Sequence, residues 1–150
     1  MPIMTTRGFS PTAEYLQSWE RDIRQRQRNT VTFSRQPATE AVLEAFEQCS
    51  ESDWDGEGAM AVEFDTYLTA VRLIEALPCG LPSPSVCAEP DGQINLEWFK
   101  HPRCVVSASV SHDGVIYWAA LVGVNKQRGA SHFIDDFPPE ISQSIARVMV

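Results

Sequence analysis

No uninterrupted apolar run in this chain approaches the roughly 20 residues that a membrane-spanning helix requires, so no such helix is expected. The opening residues, Met1-Pro2-Ile3-Met4-Thr5-Thr6-Arg7, lack the apolar core of a signal peptide, and a cytoplasmic protein is expected. Paired cysteines are missing too: Cys49, Cys79, Cys87 and Cys104 form no CxxC, and buried free thiols in a reducing compartment account for them best. Gly56-x-Gly58 has no third glycine and no preceding strand, which argues against a phosphate-binding loop. His101-Pro102-Arg103-Cys104 offers two metal donors, but no second pair completes a zinc site. Neither a cofactor nor a metal is therefore expected.

What is present is an ordinary globular composition with an uneven charge. The 150 residues are long enough for one domain with a real core, and 43% of them are hydrophobic. Residues 1–36 hold six arginines against three acids, a balance of +3. The remaining 114 hold six basic and seventeen acidic side chains, a balance of −11. An acidic body repels phosphate backbones, which disfavours nucleic acid as a partner.

The periodicity predicts a helical first half and a strand-rich second half. From Pro11 to about Arg28, Tyr15, Leu16, Trp19 and Ile23 recur at helical spacing. Residues 11–36 are read as a basic helical arm packed on the body, with residues 1–10 flexible. A short extended piece, Thr30–Phe33, separates this arm from a second helix opened by Pro37. A third helix, capped by Asp65 or Thr66, carries Tyr67, Ala70, Val71, Ile74 and Leu77 on one face. Beyond Pro84 the period becomes two, and Asp91-Gly92 and Asp113-Gly114 are strong hairpin cues. Strands are expected at Val86–Glu89, Gln93–Phe99, Cys104–Val110 and Val115–Val122, then a polar loop over Gly123–Asp136 and a last helix buried through Ile141, Ile145 and Val148. The fold class is thus α+β in one domain, 1–150: a four-stranded antiparallel meander in the C-terminal half, packed with three N-terminal helices and one C-terminal helix. Leu68, Val71, Ile74, Ile94, Leu96, Val106, Ala108, Ile116 and Trp118 are expected in its core.

The stretch Ser52-Asp53-Trp54-Asp55-Gly56-Glu57-Gly58-Ala59 has the most specific composition in the chain. Asp53, Asp55 and Glu57 at alternate positions suggest a calcium loop. However, the glycine falls too early, and the twelfth position from Asp53 is Phe64 rather than an acid. A shaped turn anchored by Trp54 is the better account. Glu97 alternates away from Leu96 and Trp98 onto the wetter sheet face, where a solvated carboxylate is the simpler interpretation than a general acid or base.

These residues carry a resemblance. Ser52–Ala59, the Ala76-Leu77-Pro78 helix end, and Glu89-Pro90-Asp91-Gly92-Gln93-Ile94-Asn95-Leu96-Glu97-Trp98 are similar to a group of short uncharacterised bacterial proteins. That group carries a Trp-Asp-Gly-x-Gly-Ala loop followed by an Asp-Gly hairpin ending in Leu-Glu-Trp. The resemblance covers roughly residues 50–120 and implies a small bacterial protein from mobile-element or defence-related gene neighbourhoods. It implies no activity.

Two functions stay open at this point. One is an acidic cytoplasmic interaction module, an antitoxin, immunity protein or phage-type inhibitor, binding a protein partner with a basic surface through Asp53, Trp54, Asp55 and Glu57. The other is a small ligand-binding or hydrolytic enzyme with a site near Trp54, Glu97, Trp98 and a histidine. No catalytic constellation is visible, which inclines the expectation away from an enzyme.

Overall fold

The computed structural model describes the backbone of residues 11–149 and the side chains of residues 18–23 and 34–149. The expected flexible segment 1–10, and the Tyr15 and Leu16 side chains of the arm, lie outside the described residues. The chain divides into two compact units, Met1–Phe33 and Ser34–Val150. In the first, the described backbone is helical, Trp19 is exposed and Ile23 is half-buried.

The second unit is α+β, with a five-stranded antiparallel sheet in the order β1-β2-β3-β4-β5. The strands are β1 (Ser85–Ala88), β2 (Ile94–His101), β3 (Cys104–Val110), β4 (Val115–Val122) and β5 (Asn125–His132). The four expected strands pair in sequence order. The fifth is a correction, because β5 occupies part of the segment read as a polar loop. It shows no apolar alternation, since all of its residues except half-buried Ser131 are exposed. Backbone pairing with β4 holds it, from Val122 opposite Asn125 to Val115 opposite His132. Gly123, at φ +65°, supplies the left-handed position of the two-residue turn between them. Trp118 of β4 lies over Gly129 of β5, where an added Cβ would come within 3.0 Å of the indole nitrogen. That placement leaves Trp118 half-buried at the margin of the core in which it was expected.

The helices are α1 (Pro11–Gln48), α2 (Phe64–Glu75) and α3 (Pro139–Met149). Two helices rather than three therefore precede the sheet. Thr30–Phe33 is helical, and Pro37 sits inside α1 instead of opening a new helix. Proline removes one amide donor, and side-chain bonds from near and distant residues tie down the turns around it. The Thr39 hydroxyl donates to the Gln36 carbonyl at 2.9 Å, the Ser83 hydroxyl to the Ser34 carbonyl at 2.8 Å, and the Gln36 side chain bonds Glu40 at 2.8 Å. The Arg35 guanidinium donates to the Glu75 and Leu77 carbonyls at the end of α2, where otherwise unpaired carbonyls gather negative partial charge.

In α2 the buried stripe is Thr66, Ala70, Leu73 and Ile74, continued by Leu77 beyond its end. The expected cap is also corrected: Glu63 occupies the N-cap, without a side-chain cap bond. With the helix so set, Leu68 points outward and is 42% exposed rather than in the core. α3 packs on β2, β3 and β4, and α2 on β2 and β3. The core lies between these helices and one sheet face, carried by Ile94, Leu96, Trp98, Val106, Ala108, Val110 and Ile116 from the strands. Ala38 and Val42 of α1, together with Ile141, Ile145 and Val148 of α3, complete it. All four cysteines are free, but only Cys49 is buried; Cys79 and Cys87 are exposed and Cys104 is half-buried.

Leu96→Ala removes a fully buried side chain and is expected to cost about 2–5 kcal/mol in urea unfolding. Gly129→Val forces the Trp118 indole to move and should cost about 1–3 kcal/mol. An unchanged midpoint for Gly129→Val would mean that the Trp118 contact does not hold β5.

Candidate functional site

The Ser50–Val62 segment is built by its own acids. Asp53 has φ +63°, and Gly56 and Gly58 follow at +72° and +88°, so the chain turns through three left-handed positions. The carboxylate of Asp55 accepts the Glu57 and Ala59 amides at 2.8 and 3.0 Å, and that of Asp53 accepts the Gly58 amide at 2.7 Å. The Asp53 amide in turn donates to the Ala59 carbonyl at 2.7 Å. The half-buried Trp54 packs against the core and donates its indole N–H to the Met60 carbonyl at 2.9 Å. Backbone amides beside Asp55, Glu57 first, hold its carboxyl below the usual carboxylate range.

The loop docks on the β1–β2 turn. The Met60 amide donates to the Pro90 carbonyl at 2.7 Å, and the Val62 amide to the Cys49 carbonyl at 2.8 Å. Gly92, at φ +86°, lies so close that an added Cβ would sit 2.8 Å from the Ala61 carbonyl oxygen. Beside this junction opens a cleft of about 240 Å³, walled by the loop end, the start of α2 and the two Asp-Gly turns. Glu63, Thr66, Asp91, Gln93, His112 and Asp113 are among the residues that line it. A bond from the Ser111 hydroxyl, helped by the Val115 amide, holds the Asp113 carboxyl low. Among the described residues, no group of three or more His, Cys, Asp or Glu side chains is placed to hold a metal ion.

The second surface feature is an aromatic ridge where α1 meets α2. Phe46 stacks on Tyr67 at 5.1 Å between ring centroids and meets Phe64 edge-on at 6.0 Å. Phe64 is 57% exposed, and helical spacing sets exposed Leu68 beside it and Leu43 beside Phe46. Met60, at the end of the loop, is 61% exposed. Residues 40–65 around this ridge contain nine acids and no base. All nine are exposed, and none is in an ion pair among the described residues.

Trp54, Glu97 and Trp98, with a histidine, were the elements of the enzyme reading. Trp98 is buried on the helix-covered face and donates its N–H to the Pro82 carbonyl at 2.7 Å, whereas Glu97 alternates to the opposite face. None of the three lines the cleft; His112 does. Partial desolvation at its strand position, with Glu89 and Glu97 nearby, pushes the exposed Cys87 thiol up, the opposite of an activated nucleophile. Of the loop residues expected to bind, Asp53 and Asp55 spend acceptor capacity on backbone amides, and Glu57 projects with no side-chain bond among the described residues. The sequence reading missed the ridge because Leu68 was assigned to the core. The signal that reveals it is the run of nine acids without a base, interrupted by Leu43, Phe46, Met60 and Phe64.

Comparison of the chain with protein families, with curated proteins and with solved structures gives no match. The functional argument therefore rests on the geometry.

Gly92→Ala adds both strain at a positive φ and a collision with backbone, and should destabilise by about 1–3 kcal/mol in chemical unfolding. The lowered Asp55 carboxyl makes its contribution complete above its unfolded-state value near 3.9 and lost as pH falls through the lower folded value. Asp55→Asn should therefore melt below wild type at pH 7, with the gap closing under strongly acid conditions. A gap independent of pH would show that the charge on Asp55 is not what ties the loop.

Proposed function

We propose that this chain is a protein-interaction module that binds a partner with a basic, partly apolar surface, in the manner of an antitoxin, immunity protein or phage-type inhibitor. The observation that carries this reading is the exposed ridge of Leu43, Phe64 and Leu68, with Met60 nearby, in a field of nine acids that form no ion pair among the described residues. Exposed large apolar side chains near one another, within charge of one sign, suit a docking surface. The acids would steer a basic partner and set the rate of encounter, while desolvated rings would set how long the complex lasts. The loop of Asp53, Trp54, Asp55 and Glu57 then acts chiefly as the support that presents Met60 and the start of α2, with Glu57 left to join the acidic rim. The free thiols suit a reducing, cytoplasmic setting.

The test compares capture from the native host by wild type, by Phe64→Ser/Leu68→Ser, and by Phe99→Ser on the other sheet face. A basic protein retained by wild type and Phe99→Ser but lost from the double variant is the expected result. In kinetics with that protein, Glu44→Gln/Glu47→Gln should slow association, the more so at low salt. Phe64→Ala should speed dissociation about tenfold or more, the scale of an interface hot spot. Capture indifferent to both the ridge variant and salt would overturn the proposal. So would turnover of a small molecule abolished by a substitution at His112 that leaves the fold intact.

A further inference from the structure

We propose that the cleft between the two Asp-Gly turns takes a guanidinium group, supplied by an arginine side chain of the basic partner; the inference rests on the interaction reading above. Three carboxylates from separate parts of the chain reach this one cleft: Glu63 at the N-cap of α2, Asp91 in the β1–β2 turn and Asp113 in the β3–β4 turn. No basic side chain other than His112 lines it. A second, independent observation supports it. Thr66 lines the same cleft, is 1% exposed, and its hydroxyl makes no hydrogen bond among the described residues, although no side-chain oxygen there is both sealed from solvent and unpaired. Its oxygen therefore opens onto the cleft and is satisfied by whatever occupies it.

The acceptors that remain suit a planar fork of donors. Asp91 uses Oδ1 for the Gln93 amide at 3.1 Å, and Asp113 uses Oδ1 for the Ser111 hydroxyl and the Val115 amide. The second oxygen of each, and both oxygens of Glu63, carry no bond among the described residues. These carboxylates are not gathered closely enough to hold a metal ion, yet they share one small cleft. Dispersed acceptors favour a guanidinium, with five N–H donors spread in a plane, over a compact ammonium with three. The Tyr117 ring, 49% exposed, forms part of the wall on which such a plane can stack. An anion at the start of α2 would face the same three carboxylates and is disfavoured. Met60 belongs both to the cleft wall and to the exposed apolar side chains of the docking surface, so a partner on the ridge can lower an arginine into the cleft.

The probe is N-acetyl-arginine methylamide, titrated into the full isotopically labelled chain and followed by amide chemical shifts, with the lysine analogue as comparison. Saturable shifts confined to residues 63–66, 91–93 and 111–114 are expected, with arginine binding at least threefold tighter than lysine. Glu63→Gln/Asp91→Asn, which removes charge from exposed positions, should weaken arginine binding tenfold or more. Thr66→Val should weaken it severalfold, while Phe64→Ser/Leu68→Ser should leave it unchanged. Shifts scattered along the acidic helix faces and equal for arginine and lysine would overturn the proposal, as would no saturation at tens of millimolar. Arginine binding in the cleft, combined with partner association that ignores Glu63→Gln/Asp91→Asn, would overturn the assignment to the partner. Loss of partner capture by the ridge variant would still stand in that case, so failure of the cleft and failure of the interaction reading are separable.

Discussion

The hydrogen bond from the Met60 amide to the Pro90 carbonyl is the constraint on which the functional face depends. It joins the end of the Trp54 loop to the first hairpin turn, and Gly92 allows the two backbones to touch. Once that junction is made, the start of α2 lies beside both Asp-Gly turns, and Glu63, Asp91 and Asp113 can share one cleft. The same junction leaves Met60 outward and Phe64 over Phe46. Backbone hydrogen bonds of this kind contribute only about 1 kcal/mol each to net stability. What this one decides is which surfaces meet.

The acids of the loop divide into two kinds by what their oxygens do. Asp53 and Asp55 take up backbone amides that the left-handed turn exposes, much as a helix cap satisfies the first amides of a helix. Glu57 and the glutamates Glu40, Glu44 and Glu47 near the end of α1 accept no backbone amide among the described residues and remain an exposed negative field. That field has a cost, because like charges repel and nothing within the described residues neutralises them. A basic surface laid against it relieves the repulsion, and the ridge then loses water as well. The two effects reinforce each other only because the ridge and the acids belong to the same stretch, residues 40–65.

Much of the sheet was legible in the sequence because alternation and Asp-Gly turns act locally. Ile94, Leu96 and Trp98 declared one face of β2, and Val106, Ala108 and Val110 the matching face of β3. β5 was not legible, since Lys126, Gln127 and Arg128 have no apolar partner pattern and the strand exists through its ladder to β4. Pro37 misled for a related reason: its cost is local, whereas the Ser83 and Arg35 bonds that help hold its surroundings come from contacts forty or more residues away in sequence. The Trp54 loop was recognised as a shaped turn, but the roles of its acids were not separable without the amides they accept. The cleft was invisible altogether, because Glu63, Asp91 and Asp113 are scattered along the chain and meet only through the fold.

The sheet edge at β5 and the ridge differ in how their side chains oppose association between copies of this chain. An exposed eight-residue edge strand is a template for further pairing. Lys126 and Arg128 lie on it, both exposed, and Gly129 weakens it as a template. A second copy paired in antiparallel fashion through this edge would bring basic side chains together on a strand with little apolar surface to bury. At the ridge the arrangement is reversed, with rings exposed and charge of one sign around them. Self-association there would set nine acids against nine, so the surface discourages its own copy, which agrees with the proposal of a basic partner. Charge decides against the copy at both places, and only at the ridge is there apolar surface for a partner of opposite charge to bury.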